Sequence, residues 1–181
     1  MRQDQQSIIV AVDSMTLVWG IRRRGQPDKV KHARYLFENL EKEKAQIVVP
    51  SIVVAEFVIP LKTSKEREEM IVRLQKRFLI APFDAKDAAV AADLWHDGKK
   101  TREMRQPGAR VRLKADAMIV ATAYGHGAQA FYTDDDDCFN MVQKIMLARR
   151  LPKIGAHLWA DVEQAEDDAA ASELNDDERQ Q

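Results

Sequence analysis

Apolar residues in this chain fall into two kinds of run. Short, nearly continuous stretches at Ile8–Val12, Ile47–Val49, Phe78–Ala81 and Ala130–Tyr132 read as strands buried on both faces of a sheet. Between them, apolar positions recur at helical spacing. Val30, Ala33, Leu36, Phe37 and Leu40 mark a helix that Asp28 can cap, and Ser51 is placed to cap another that carries Glu56 and meets Pro60. A helical stretch over Lys65–Arg77 follows, then one opened by Asp84 or Asp87 and running through Trp95. Lys99–Gln106 is polar and basic without a clear period, and Pro107 and Gly108 read as a loop. Ala115–Tyr124 is apolar almost all round, as expected of a helix packed inside a domain, with Gly125 and Gly127 suited to its end. Beyond the strand at 130–132, Met141–Leu147 resumes a helix, and Ile154–Leu158 is expected as a last edge strand. Repeated strand–helix alternation predicts an α/β fold with a mainly parallel sheet.

Charge divides the chain unevenly. Residues 160–181 hold nine of the 29 acids and one of the 28 bases, leaving 27 bases against 20 acids, a surplus of seven, in residues 1–159. We therefore expect one domain over 1–159 whose surface is either a polyanion binder or an ordinary soluble one, and an acidic tail over 160–181 that is a solvated helix or disordered extension. That tail could compete with a polyanion for the basic surface. A single cysteine, Cys138, excludes an intramolecular disulfide and, with only four histidines, argues against structural zinc. No apolar run reaches the roughly 18–20 residues of a membrane span, and the polar start lacks a signal-peptide core, so a cytoplasmic protein is expected.

Four acidic positions change the picture. In open parallel sheets the functional crevice lies beyond the carboxyl ends of the strands, and both Asp13 and the Asp134–Asp137 run directly follow predicted strands. Glu56 and Asp116 are embedded in apolar helices, where a carboxylate is costly to bury unless it is paired, protonated or bound to a cation. Each acid alone has a plain structural account: a turn cap, a buried ion pair, a helix-dipole partner or a solvated side chain. Together they supply the oxygen ligands that Mg²⁺ or Mn²⁺ prefers.

The motifs around these acids resemble those of the PIN-domain family. Ile8-Ile9-Val10-Ala11-Val12-Asp13-Ser14 looks like its opening strand, acid and hydroxyl residue. Val49-Pro50-Ser51-Ile52-Val53-Val54-Ala55-Glu56 resembles its second motif, Lys114-Ala115-Asp116-Ala117-Met118-Ile119-Val120-Ala121-Thr122-Ala123 its third and Tyr132-Thr133-Asp134-Asp135 its fourth. The likeness covers residues 7–158 and is closest to the short VapC-type toxins. Met15 departs from the pattern where a polar residue is common, as does Cys138 where an acid often precedes the aromatic at Phe139.

The resemblance implies a three-layer α/β/α sandwich and a Mg²⁺- or Mn²⁺-dependent endoribonuclease. Asp13, Glu56, Asp116 and Asp135 would be its ligands and catalytic acids, and Asp137 an auxiliary ligand, with Asp134 a rival to Asp135. Ser14 and Thr133 would support the ligating carboxylates or cap turns. It also implies a cognate antitoxin protein, a homodimer and an RNA substrate. Seven bases stand in the 16 residues from Lys99 to Lys114 with one acid, Glu103. Arg102, Arg105, Arg110, Arg112 and Lys114 are the candidate RNA contacts there, and Arg22, Arg23 and Arg24 form a second patch. Other acid-dependent α/β classes fit less well. A phosphate-receiver domain would pair acids after the first strand, and an aspartyl-nucleophile phosphatase would place a second aspartate where Met15 stands. A maintenance ribonuclease, or a PIN-like module that binds RNA without cleaving it, is the closer rival.

Overall fold

The structure is a computed structural model and describes residues 8–98 and 109–158. Five strands, β1 (Ile9–Val12), β2 (Gln46–Pro50), β3 (Leu79–Ala81), β4 (Ala130–Tyr132) and β5 (Leu147–Arg149), form one sheet in the order β3-β2-β1-β4-β5. Every pairing is parallel, with Val10 opposite both Ile47 and Ala130. Val10, Ala11 and Val12 are all fully buried. Successive residues of a strand point to opposite faces, so helices must cover both, which gives the three-layer α/β/α sandwich.

The helices are α1 (Ser14–Leu17), α2 (Pro27–Lys42), α3 (Ser51–Val58), α4 (Ser64–Gln75), α5 (Ala85–Gly98), α6 (Ala109–Gly125) and α7 (Asp136–Val142), with a π-helical turn at Val18–Arg22. In α2 the buried residues Ala33, Leu36, Phe37 and Leu40 are those the periodicity selects. Its start is set by Pro27, with Asp28 in the first turn rather than at the cap. Ser51 is likewise the first helical residue of α3, after Pro50. Helix α4 begins with a reciprocal capping box, in which Thr63 accepts from the Glu66 amide and Glu66 accepts from that of Thr63.

The structure departs from expectation in its last strand and in the start of α6. The stretch Ile154–Leu158 is not a strand; the last strand is Leu147–Arg149, at the end of what reads as a helical run. Leu, Ala and Arg all favour helices, and pairing with β4 overrides that preference. The segment after β5 instead folds across the layer, burying Leu151 and Leu158, while Tyr35 donates from its hydroxyl to the Ala156 carbonyl at 3.1 Å. Helix α6 starts six residues before the apolar run, so the basic residues from Arg110 to Lys114 are helical rather than loop. The tail at 160–181 lies outside the described residues.

Helices α5 and α6 pack along each other, and where Asp87 of α5 meets the end of α6 the contact requires a glycine. A Cβ on Gly125 would stand 2.1 Å from Oδ1 of Asp87, a carboxylate only 2% exposed. Replacing Gly125→Ala should therefore destabilise the fold by about 1–3 kcal/mol, the usual cost of overpacking. Urea unfolding should show a lower midpoint at unchanged slope; an unchanged midpoint would mean that the helices can separate freely there.

Candidate active site

The sheet's direction of travel reverses at β1, since β2 and β3 lie on one side of it and β4 and β5 on the other. The carboxyl ends of β1 and β4 therefore flank the switch point, where α/β sheets open a crevice. Asp13 follows β1 directly. Its backbone amide continues the ladder by donating to the Tyr132 carbonyl at 3.2 Å, and its side chain caps α1, Oδ1 accepting from the Thr16 amide at 2.6 Å. Oδ2 accepts from the Thr133 hydroxyl at 2.5 Å. Asp13 is only 7% exposed, and burial pushes its pKa up, partly offset by the hydrogen bonds from Thr133 and Thr16.

Thr133 is the hinge of this arrangement. It is fully buried, donates to Asp13 and accepts from the Asp135 amide at 3.1 Å, so one hydroxyl ties the end of β1 to the turn after β4. Asp135 caps α7, its Oδ1 accepting from the Cys138 amide at 2.8 Å, and the residue stands exposed. Beneath it Cys138 is buried, and its thiol is pushed well up by burial and by the charges of Asp116, Asp13 and Asp135. It is a neutral floor to the site.

The remaining acids arrive from two helices. Glu56 is half-buried on α3, which packs against α1 and α6, and Asp116 is half-buried on α6. The Asp116 carboxyl is pushed up to about 7, first by burial and then by the charges of Asp135, Glu56, Asp13 and Asp137. The other four predicted ligands are thus within electrostatic reach of this carboxyl. Among the described residues, no three His, Cys, Asp or Glu side chains already stand close enough together to hold an ion. The acids converge, but at repelling rather than coordinating distance.

The four consecutive aspartates have separate tasks. Asp134 turns away from the others: Oδ2 pairs with Lys29 Nζ at 2.5 Å and Oδ1 accepts from the Leu151 amide at 3.1 Å. With both oxygens engaged, it clamps the start of α2 and the segment after β5 to the β4–α7 turn. Asp136 pairs with Arg150 at 2.5 Å, and Asp137 lies exposed in the first turn of α7. Ser14 is the half-buried first residue of α1.

The predicted RNA contacts are dispersed. Arg102 and Arg105 lie outside the described residues, as does the side chain of Arg110. Arg112 precedes Asp116 by four positions and so shares its face of α6. Lys114 is two positions away, roughly 200° round the helix. Its Nζ sits 5.4 Å from the Trp95 ring, beside a cleft of about 250 Å³ between α5 and α6 lined by Phe83, Ala91, Ala117 and Met118. In the other patch, Arg22 donates to the Phe57 carbonyl and its guanidinium lies 4.4 Å from the Phe57 ring, pinning the π-helical turn to α3 one residue from Glu56. Sequence reading missed Lys29 and the structural use of Arg22, because their partners lie 105 and 35 positions away and carry no local signal.

Such an acid-lined switch point in an all-parallel sheet defines a class of α/β domain in which strand ends and flanking helices gather carboxylates. Residues 10–145 match the model of the PIN domain, and the chain belongs to that family. No curated protein matches the sequence. Similar solved structures include VapBC2 from Rickettsia felis bound to a promoter DNA fragment, at 17% identity and a TM-score of 0.51, covering 80% of this chain and 100% of that one. VapBC-1 from nontypeable Haemophilus influenzae is similar at 14% identity and 0.57, covering 80% and 98%. DNA-bound VapBC from Salmonella typhimurium is similar at 13% and 0.56, covering 81% and 100%. At these identities the likeness is one of fold.

Two predictions follow from the electrostatics. In chelator, Asp116 should hold a proton in the native state up to about pH 7 but only to its ordinary value of 3.8 when unfolded. The native state then binds more protons between those values, so stability falls as pH rises through that window. Asp116→Asn should flatten the slope, as measured by urea midpoints from pH 4 to 8, and an equally steep profile would assign the repulsion elsewhere. Asp134→Ala, which removes the clamp, should cost about 1–2 kcal/mol, discounted for the half-exposed Lys29. A midpoint unaltered by that substitution would show that the turn holds without it.

Proposed function

We propose that this protein is a metal-dependent endoribonuclease, the toxin of a type II toxin–antitoxin pair. The observation that carries the reading is the convergence of carboxylates from the end of β1, from α3 and from the β4–α7 turn on Asp116 of α6, close enough for their charges to oppose its ionisation. So much negative charge in one crevice opposes folding unless a cation offsets it. Hard oxygen donors, with no histidine or thiolate among them, suit Mg²⁺ or Mn²⁺.

Asp13, Glu56, Asp116 and Asp135 would hold the ion, with Asp137 as an auxiliary acid and Asp134 committed to its clamp. When bound, a divalent cation supplies charge stabilisation for a phosphodiester in hydrolysis and a more acidic water as nucleophile. The chain's own residues do the rest. Thr133 orients Asp13 by donating to Oδ2 and orients Asp135 by accepting from its amide. Asp116 must release its proton to bind the ion, so metal affinity falls as pH drops below about 7. Ser14, next to Asp13, supports the same carboxylates. Arg112, on the Asp116 face of α6, is the best placed of the described basic residues there to meet RNA, and Arg102, Arg105 and Arg110, which precede it in the sequence, are the further candidates. Lys114 serves the Trp95 side of the helix instead.

Similar structures described as VapBC complexes, two of them DNA-bound, support a cognate antitoxin partner, and family resemblance supports a homodimer. No described helix is long and apolar enough to cross a membrane, which accords with a cytoplasmic setting. The decisive assay incubates a mixed RNA pool with the natural chain, Asp13→Asn and Asp116→Asn in Mg²⁺ or Mn²⁺. Cleavage by the natural chain should fall at least about a hundredfold in each variant and vanish in chelator. A folded, metal-loaded natural chain that cleaves no RNA would instead be a binding module, and activity that survives both substitutions would move the chemistry elsewhere.

A further inference from the structure

Resting on the ribonuclease reading, we propose that Phe139 and Arg150 form a platform on which an unpaired RNA base stacks beside the catalytic acids. A crevice of carboxylates repels a polyanion, so the substrate strand must be held by something at the rim that is not itself repelled. Among the described residues, Lys29 and Arg150 are fastened to the aspartate run, and they differ. Lys29 pairs with Asp134, whose side chain is 10% exposed, and lies 5.8 Å from the Trp19 ring, so it belongs to the interior clamp.

Arg150 stands at the surface. Its guanidinium lies 4.0 Å from the centroid of Phe139 and pairs with Asp136, whose side chain is 87% exposed. Ion pairs so exposed contribute about 0–1 kcal/mol, so this one exchanges readily, while the ring keeps the guanidinium in place when the carboxylate lets go. Asp136 and Phe139 are three positions apart on one face of α7, immediately after Asp135 at its cap. A planar cation over the ring of Phe139 is therefore held about one helical turn from a proposed metal ligand.

Unpaired bases stack on aromatic side chains and on arginine planes, and this contact is tolerant of sequence because every base has a π-face. Asp136 alongside disfavours a phosphate at the same spot, so a base, rather than the backbone, occupies the platform. Bound there, it would hold the strand against the acids without adding a cation to their midst.

The test measures affinity by fluorescence anisotropy, in the Asp116→Asn background with Mg²⁺, for a short labelled single-stranded oligoribonucleotide and its abasic counterpart. Phe139→Leu and Arg150→Gln should each weaken binding of the base-bearing strand about tenfold. Phe139→Leu should leave the abasic strand almost unchanged. Arg150→Lys should restore the salt dependence, which reports charge, without restoring affinity for the base-bearing strand. Arg150 lies on the exposed surface, so its variants read out binding even if the half-buried Phe139 variant loses stability. Unchanged affinity in the Arg150 variants, or equal losses for both strands, would overturn the platform while leaving the ribonuclease reading intact. A parent chain that neither binds nor cleaves RNA would overturn both.

Discussion

The hydrogen bond from Thr133 to Asp13 joins the two halves of the sheet where they diverge. Parallel strands β1 and β4 already place Val12 opposite Tyr132, but their backbones part immediately beyond. At that point a buried carboxylate must find donors or be expelled. Thr133 supplies one and the Thr16 amide the other. Because the same hydroxyl accepts from the Asp135 amide, the cap of α7 is set by the cap of α1. Three of the acids in the crevice are positioned relative to this pair: Asp135 directly, Asp137 two residues on in the first turn of α7, and Asp116 by the packing of α6 on α7.

That geometry sets local stability against a function. Asp13 and Asp116 both have raised pKa values because burial and neighbouring carboxylates disfavour ionisation. A domain selected for stability alone would place apolar residues there, as it does at Val53, Val54 and Phe57 around Glu56. Buried carboxylates that break the local rule inside an otherwise consistent fold are the pattern expected of a functional site, with the cost borne elsewhere. The surroundings are adapted to bear the cost. Cys138, buried among the acids, is neutral, and Asp134 is diverted into a pair with Lys29.

What the sequence made legible follows from how locally each feature is encoded. The strands β1, β2 and β4 were readable because continuous burial leaves continuous apolar runs, and α2 because its stripe keeps a strict helical period. The sites of Asp13 and Asp135 were readable because a strand end points to one edge of the sheet. β5 was not, since Leu147-Ala148-Arg149 owes its form to pairing with β4 and to nothing in its own composition. The first turns of α6 were hidden for a related reason: an exposed basic helix has no apolar stripe to betray its period. The clamp through Lys29 could not be seen at all, because both partners are ordinary until the fold brings them together.

The run of four aspartates shows why composition alone leaves a site undetermined. As a string it offers four equivalent carboxylates, and electrostatics would rank them equally. The α7 helix start breaks the equivalence. Residues on successive positions of a helix entry point in directions about 100° apart, so neighbours in sequence meet different partners. Asp135, at the cap, holds an amide of its own helix and stays at the crevice. Asp134, one residue earlier, falls on the side where α2 and the chain after β5 approach, and both its oxygens are taken. Asp136 faces Arg150, and Asp137 remains near enough to raise Asp116. The fold thus sends four identical side chains to a clamp, a helix cap at the crevice, a surface ion pair and a charge near Asp116, by nothing more than the rotation of the backbone as it enters a helix.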